Sequence, residues 1–199
     1  MPGTPRWAKI GGMPEPSSLF LAPVNTESTP ALEGVLEVLK GLGISAEALG
    51  SGVFAAGDGF SRHVVYAGCA PYLVMQPPEK GSLQFCHVAV HGPYPEPRLV
   101  TGSNTVKPRC PACRARVDDW RRHLAAWQAG AANATCAACG KVWRPDQLDW
   151  RNHAIAGRIL IELRNVFPGE ASPSDLLMQQ LAEQTGEDWQ YAWAAYLSE

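Results

Sequence analysis

The sequence predicts an α+β fold, a small mixed sheet with flanking helices, into which a four-cysteine module is inserted. Two observations point to it. Segments of strand period and of helix period are interspersed along the chain, with no internal repeat, and four of the six cysteines stand as two close pairs near its middle. At 199 residues with 46% hydrophobic content and seven Trp, the chain can bury one core, or one core plus a small satellite. The expected organisation is a loose leader over 1–18, an N-terminal α+β half over 19–106, the cysteine module over 107–153, and a C-terminal βαβ-like segment over 154–199 that completes the fold.

Residues 1–18 are rich in Pro and Gly and lack periodicity, and Met13 offers an alternative start. The run Leu19-Phe20-Leu21-Ala22 is too short for a signal-peptide core, and no apolar stretch has the length of a bilayer span. From Pro30 to Lys40 the residues Leu32, Val35, Leu36 and Leu39 fall at helical spacing, with Gly41 as the expected stop. Val53-Phe54-Ala55 and His63-Val64-Val65-Tyr66 flank Gly57-Asp58-Gly59, which reads as a hairpin. Two more strands are expected at Pro71–Met75 and Leu83–Val90, separated by Pro77-Pro78-Glu79-Lys80-Gly81. On the second, alternation puts Cys86, Val88 and Val90 on one face and Leu83, Phe85, His87, Ala89 and His91 on the other.

Beyond the cysteines, Ile159, Ile161 and Leu163 alternate with Leu160, Glu162 and Arg164, as in a strand. A helix is expected to start with Ser172 as N-cap and Pro173 in the first helical position, to bury Leu177 and Leu181, and to end at Gly186. Trp189, Tyr191 and Trp193 alternate in a final strand, although a helix would also accommodate them.

The chemistry concentrates in Cys110-Pro-Ala-Cys113 and Cys136-Ala-Ala-Cys139, 22 residues apart. Two residues between cysteines allow a tight turn to aim both sulfurs at one ion, and two such turns complete a tetrahedron. Gly140 suits a turn that needs a positive φ, whereas the first pair carries Arg114 there. The expected cofactor is one structural Zn(2+) held by Cys110, Cys113, Cys136 and Cys139, because four thiolates leave no open position for catalysis. Iron is the alternative occupant. Paired cysteines used this way also fit a reducing, cytoplasmic setting.

Between the pairs, Val117, Trp120, Leu124 and Trp127 are spaced as on an amphipathic helix or irregular loop, with Arg121, Arg122 and His123 opposite. The window Lys107–Arg151 holds nine basic and four acidic residues, +5, which leaves −7 on the remainder of a chain of net −2. That basic surface reads as a solvated face or one docked on the acidic remainder. A grip on nucleic acid is possible but not favoured, because the charge is modest and no aromatic stacking motif accompanies it. Cys69 and Cys86 are expected in the core. The alternative is an enzyme with a Cys69 thiol served by His63 or His87, or with a second metal at His87 and His91. No phosphate-cradling glycine loop, nucleophile elbow or metalloprotease motif is present. The favoured expectation is therefore a non-catalytic zinc protein whose ribbon supports a surface for a protein partner.

Five segments carry a family resemblance: FAAGDGFSRHVVYAGCAPYL (54–73), PRCPACR (108–114), CAACGKVWRPDQLDWR (136–151), GRILIELRNVFPGEASPSDLLMQQL (157–181) and TGEDWQYAW (185–193). In this order they resemble a family of uncharacterised bacterial zinc-ribbon proteins found mainly in proteobacteria. The resemblance covers most of 54–193 and leaves the N-terminal region outside. It implies a zinc ribbon within a small α+β protein, with Asp149-Trp150-Arg151 packing against the ribbon, and it implies no activity.

Overall fold

The computed structural model describes residues 17–67, 73–130, 133–166 and 171–194. Its central strands are β1 (Ser17–Pro23), β2 (Ser45–Gly50), β3 (Val53–Ala56), β5 (His87–His91), β10 (Leu160–Val166) and β12 (Trp189–Ala194). They form one six-stranded antiparallel sheet in the order β12-β1-β10-β5-β3-β2. Helices α1 (Leu32–Gly41) and α4 (Asp175–Thr185) lie over one face. There Leu19, Leu21, Val88, Ile161 and Leu163 of the sheet meet Val35, Leu39, Leu177 and Leu181 of the helices, almost all without solvent exposure. The opposite face carries Phe20, Ala22, Leu160, Ala192 and Ala194, partly covered by Ile155. The fold is α+β, with the four cysteines gathered in one place. Among the described residues, no helix is long and apolar enough to cross a membrane.

Burial on both faces explains the first strand. Leu19 and Leu21 point to the helices, Phe20 and Ala22 to the other side, so β1 reads as a continuous apolar run without alternation. The expected strand after Ile159 is β10, with Ile161 and Leu163 against the helices and Glu162 and Arg164 on the second face. The last segment is a strand, and Trp189, Tyr191 and Trp193 all pack on the helix-covered side.

Several expectations are corrected. Gly57-Asp58-Gly59 does not turn a hairpin. It leads into a four-residue helix α2 (Phe60–His63), and β4 (Val64–Tyr66) pairs instead with β11 (Ala171–Pro173). The glycines serve close backbone approach: a Cβ on Gly57 would lie 2.3 Å from the Gly43 carbonyl oxygen, and one on Gly59 2.0 Å from that of Leu42. The hairpin is β2–β3, turning through Gly52 at φ 70°. The cap of α4 is Ser174 rather than Ser172. Its hydroxyl accepts from the Leu177 amide at 3.2 Å, while Ser172 and Pro173 extend in β11, where a missing proline N–H is tolerated in a two-stranded sheet. Gly186 ends α4 at φ 69° as expected, whereas α1 runs through Gly41 and reverses at Gly43, φ 67°. Leu73–Met75 and Leu83–Phe85 are not strand; Pro71 and Tyr72 lie outside the described residues.

The cysteine module lies between β6 (Arg98–Thr101) and β9 (Ala154–Gly157), which pair with each other. Within it are α3 (Trp120–Gln128) and two short strands, β7 (Ala134–Thr135) and β8 (Val142–Trp143). It has its own apolar cluster, in which Val117, Trp120, Leu124, Trp143 and Trp150 join Leu99, Ala154 and Ala156.

Candidate metal centre

The two cysteine pairs sit on backbone turns of the same form. In the first, the Cys110 carbonyl accepts from Arg114 N at 2.9 Å, and the Cys110 amide donates to the Ala115 carbonyl at 2.9 Å. In the second, the Cys136 carbonyl accepts from Gly140 N at 2.9 Å, and the Cys136 amide donates to the Lys141 carbonyl at 2.8 Å. Each turn needs a left-handed residue just after its second cysteine. Gly140 supplies it at φ 71°, and Arg114 adopts the same conformation at φ 64°. A left-handed conformation costs a non-glycine residue about 1–2 kcal/mol. Arg114 is held by an ion pair of 2.7 Å to Asp149.

The four sulfurs lie within 4.8 Å of one another, with Cys110–Cys139 at 3.9 Å and Cys113–Cys136 at 3.8 Å. A metal–sulfur bond of about 2.3 Å in a tetrahedron places ligand sulfurs about 3.8 Å apart. The group is therefore spaced to hold a metal ion, and all four cysteines are free of disulfides. Hydrogen bonding, first from the Cys113 amide, draws Cys110 down to about 7. For Cys139 the Lys141 amide pulls downward, but the sulfurs of Cys113, Cys136 and Cys110 outweigh it and push the thiol up to about 12. Cys110 and Cys136 are buried, while Cys113 and Cys139 face solvent at the tips of the turns.

The linking segment is helical from Trp120, with Trp120 and Leu124 buried and Trp127 half-buried. Trp120 meets Trp150 edge-on at 5.2 Å, and Trp150 Nε1 donates to the Pro145 carbonyl at 2.9 Å. Trp150 thus packs into the module's core, whereas Arg151 stays exposed. Arg121 and Arg122 face solvent as expected. His123 does not share that exposure: it turns edge-on to Trp143 at 5.4 Å and meets Asp119 at 3.0 Å.

Four of the nine basic residues of the 107–151 window are matched by carboxylates. Lys107 pairs with Asp118, Arg114 with Asp149, and Arg122 with Asp119. Arg144 reaches out of the module to Glu27 and also binds Asp146, whose buried carboxylate accepts from Thr26 Oγ1 at 2.7 Å. These contacts tie the module to the loop after β1.

The remaining candidates are dispersed. Cys69 lies outside the described residues. Cys86 is fully buried beside Val88, its thiol pushed up to about 12 by burial and set against the Asn165 carbonyl at 3.4 Å. That is a core thiol. His63 Nδ1 lies 2.9 Å from Ser174 Oγ, in the joint between α2 and α4. His87 Nδ1 lies 2.7 Å from the Phe85 carbonyl oxygen, and burial, then the Arg164 charge, holds its pKa below the ordinary histidine value. His91 Nε2 contacts Glu162 at 2.7 Å. Among the described residues, the four cysteines form the one group of three or more such ligands close enough to share a metal.

A second polar cluster carries no motif. Glu162 is 5% exposed and accepts from Ser18 Oγ at 2.6 Å, with His91 on its other oxygen and Arg164 Nε at 2.8 Å. Burial pushes its pKa up, but His91, Ser18 and Arg164 together reverse that and hold it below the usual carboxylate value. Its trace in the sequence is two charges, Glu162 and Arg164, at alternate positions of a strand whose other residues are apolar except Asn165. Comparison with protein-family models, with curated proteins and with solved structures finds no match to this chain.

Proposed function

We propose that the chain is a cytoplasmic, non-catalytic zinc protein whose ion is structural and whose ribbon presents a surface to a protein partner. One observation carries the reading: four free cysteine sulfurs at tetrahedral spacing on two matched turns. Four protein thiolates fill the shell of a zinc ion, so no position is left for water or substrate, and binding contributes folding energy. The resemblance to the bacterial zinc-ribbon family implies the same metal.

The partner surface is the pair of turn tips. Pro111, Ala112, Ala137 and Ala138 are exposed there beside Val142, which is 56% exposed. Small apolar groups suit protein contact better than a phosphate backbone does, and four of the nine basic residues of the window, Lys107, Arg114, Arg122 and Arg144, are paired with carboxylates. Nucleic-acid binding through the 107–151 window is therefore the weaker reading.

Native mass spectrometry of the purified chain tests the metal. The expected result is one zinc per chain, lost in Cys110→Ser and Cys139→Ser together with the fold of the ribbon. Iron, or a metal-stripped protein of unchanged stability, would contradict it. Salt-sensitive binding of single- or double-stranded DNA, weakened by neutralising Arg121 and Arg122, would replace the protein partner with nucleic acid.

A further inference from the structure

Among the described residues the second face of the sheet is only partly covered, and a cleft of about 1140 Å³ lies between the sheet and the cysteine module. Its floor is formed by Phe20, Leu160 and Ala194 with the Glu162 cluster. One wall is the segment from Tyr94 to Val100, and another is the end of α3, with Trp127 and Gln128. Ala194 contributes only a methyl group to this floor, where a larger residue would fill the space.

The charges at the base are arranged asymmetrically. Both Glu162 oxygens are engaged, one by Ser18 and the other by His91 and Arg164. Arg164 touches it through Nε alone, and its side chain remains 30% exposed. Among the described residues its two terminal nitrogens have no partner. The Nε is buried and meets Glu162 as an ion pair without making a hydrogen bond, and the guanidinium beyond it is a planar fork, the geometry that matches a carboxylate or phosphate. A buried ion pair contributes little to stability by itself, so its position at the base of an open cleft calls for another role. Apolar surface beside that fork, at Phe20, Leu160 and Trp127, suits the body of a small molecule.

We propose that the cleft binds a small organic anion, its carboxylate or phosphate on the Arg164 fork and its apolar body against Phe20, Leu160 and Trp127. Glu162, His91 and Ser18 act as positioning residues that hold the guanidinium in place. This site is separate from the cysteine centre and stands whether or not the ribbon has a protein partner.

The test is a titration of the full, metal-loaded chain with 3-phenylpropionate, phenyl phosphate and the neutral 3-phenylpropionamide, followed by amide chemical shifts. The expected result is saturable binding of at least one anion, with shifts at Leu160, Arg164 and His91, and roughly ten-fold or weaker binding of the amide. Binding of the phosphate alone or of the carboxylate alone identifies which oxyanion the fork prefers and supports the site. Arg164→Gln should lose roughly ten-fold or more in affinity. Arg164→Lys, which keeps a cation beside Glu162 but not the fork, should lose several-fold while retaining the wild-type fold. No binding of either anion, equal binding of the amide, or an affinity indifferent to Arg164→Lys would overturn the proposal.

Discussion

The sheet and the cysteine module share one chain but are held together by different means. In the sheet, six strands exchange long antiparallel ladders, and side chains from both covering helices are buried completely. In the module, β7 and β8 have two residues each, and apart from helix α3 and the cysteine turns the backbone is joined by single bridges such as Arg109–Arg116 and Arg109–Asp149. Its apolar cluster is smaller and leans on Leu99, Ala154 and Ala156 from the flanking strands. A sheet of this kind holds itself by burial. The module has less regular hydrogen bonding than the sheet, and its four sulfurs are spaced to add a tie by sharing a metal ion. Structural zinc sites are worth about 10–16 kcal/mol of binding free energy in small peptides, enough to decide whether such a module folds.

The largest effect should come from breaking that tie. Cys136→Ser removes a ligand that is buried in the module's cluster, and should abolish metal binding and unfold the ribbon. Tryptophan emission would report the exposure of Trp120, Trp143 and Trp150, and the far-ultraviolet signal of the sheet should largely remain. Loss of the whole fold would show that the two regions are one cooperative unit. The reverse perturbation is Leu163→Ala. Leu163 is fully buried between the sheet and its helices, so the substitution should cost about 2–5 kcal/mol in denaturant unfolding. Metal affinity should not change.

How much of this was legible depended on whether a residue's constraint is local. The cysteine pairs, Gly140, Gly186 and the alternation of Ile159 to Arg164 each express a nearby requirement, and each stands in the structure where its pattern points. Strand β1 was hidden because burial on both faces erases alternation. Strand β2, exposed along nearly its whole length, has no apolar pattern to read. Gly57 and Gly59 look like turn residues, but their constraint is the approach of Leu42 and Gly43 from elsewhere in the chain. The Ser18–Glu162–His91 cluster spans three strands, so its members are distant in sequence and only pairing brings them together.

Smaller perturbations sharpen the comparison at the joint and within the module. Asp146→Ala removes the buried carboxylate that binds Arg144 and Thr26, which should cost about 2 kcal/mol and loosen the module without releasing its metal. Thermal unfolding of the metal-loaded protein, read beside its metal content, checks both parts. Gly140→Ala should cost about 1–2 kcal/mol through backbone strain alone, because a Cβ there meets nothing within 4 Å. A competitive chelator titration would register it as weaker metal binding, by about ten-fold if the strain is felt only in the bound turn.

The most direct test of the proposal that a metal ion holds the module is hydrogen exchange on the intact chain before and after treatment with a chelator. The amides of Cys110, Arg114, Cys136 and Gly140 are expected to lose protection when the ion leaves, while those of Leu21, Val88 and Leu163 in the sheet keep theirs. Equal protection of the cysteine turns in both states would contradict this, since the module would then be holding itself together without the four sulfurs sharing an ion.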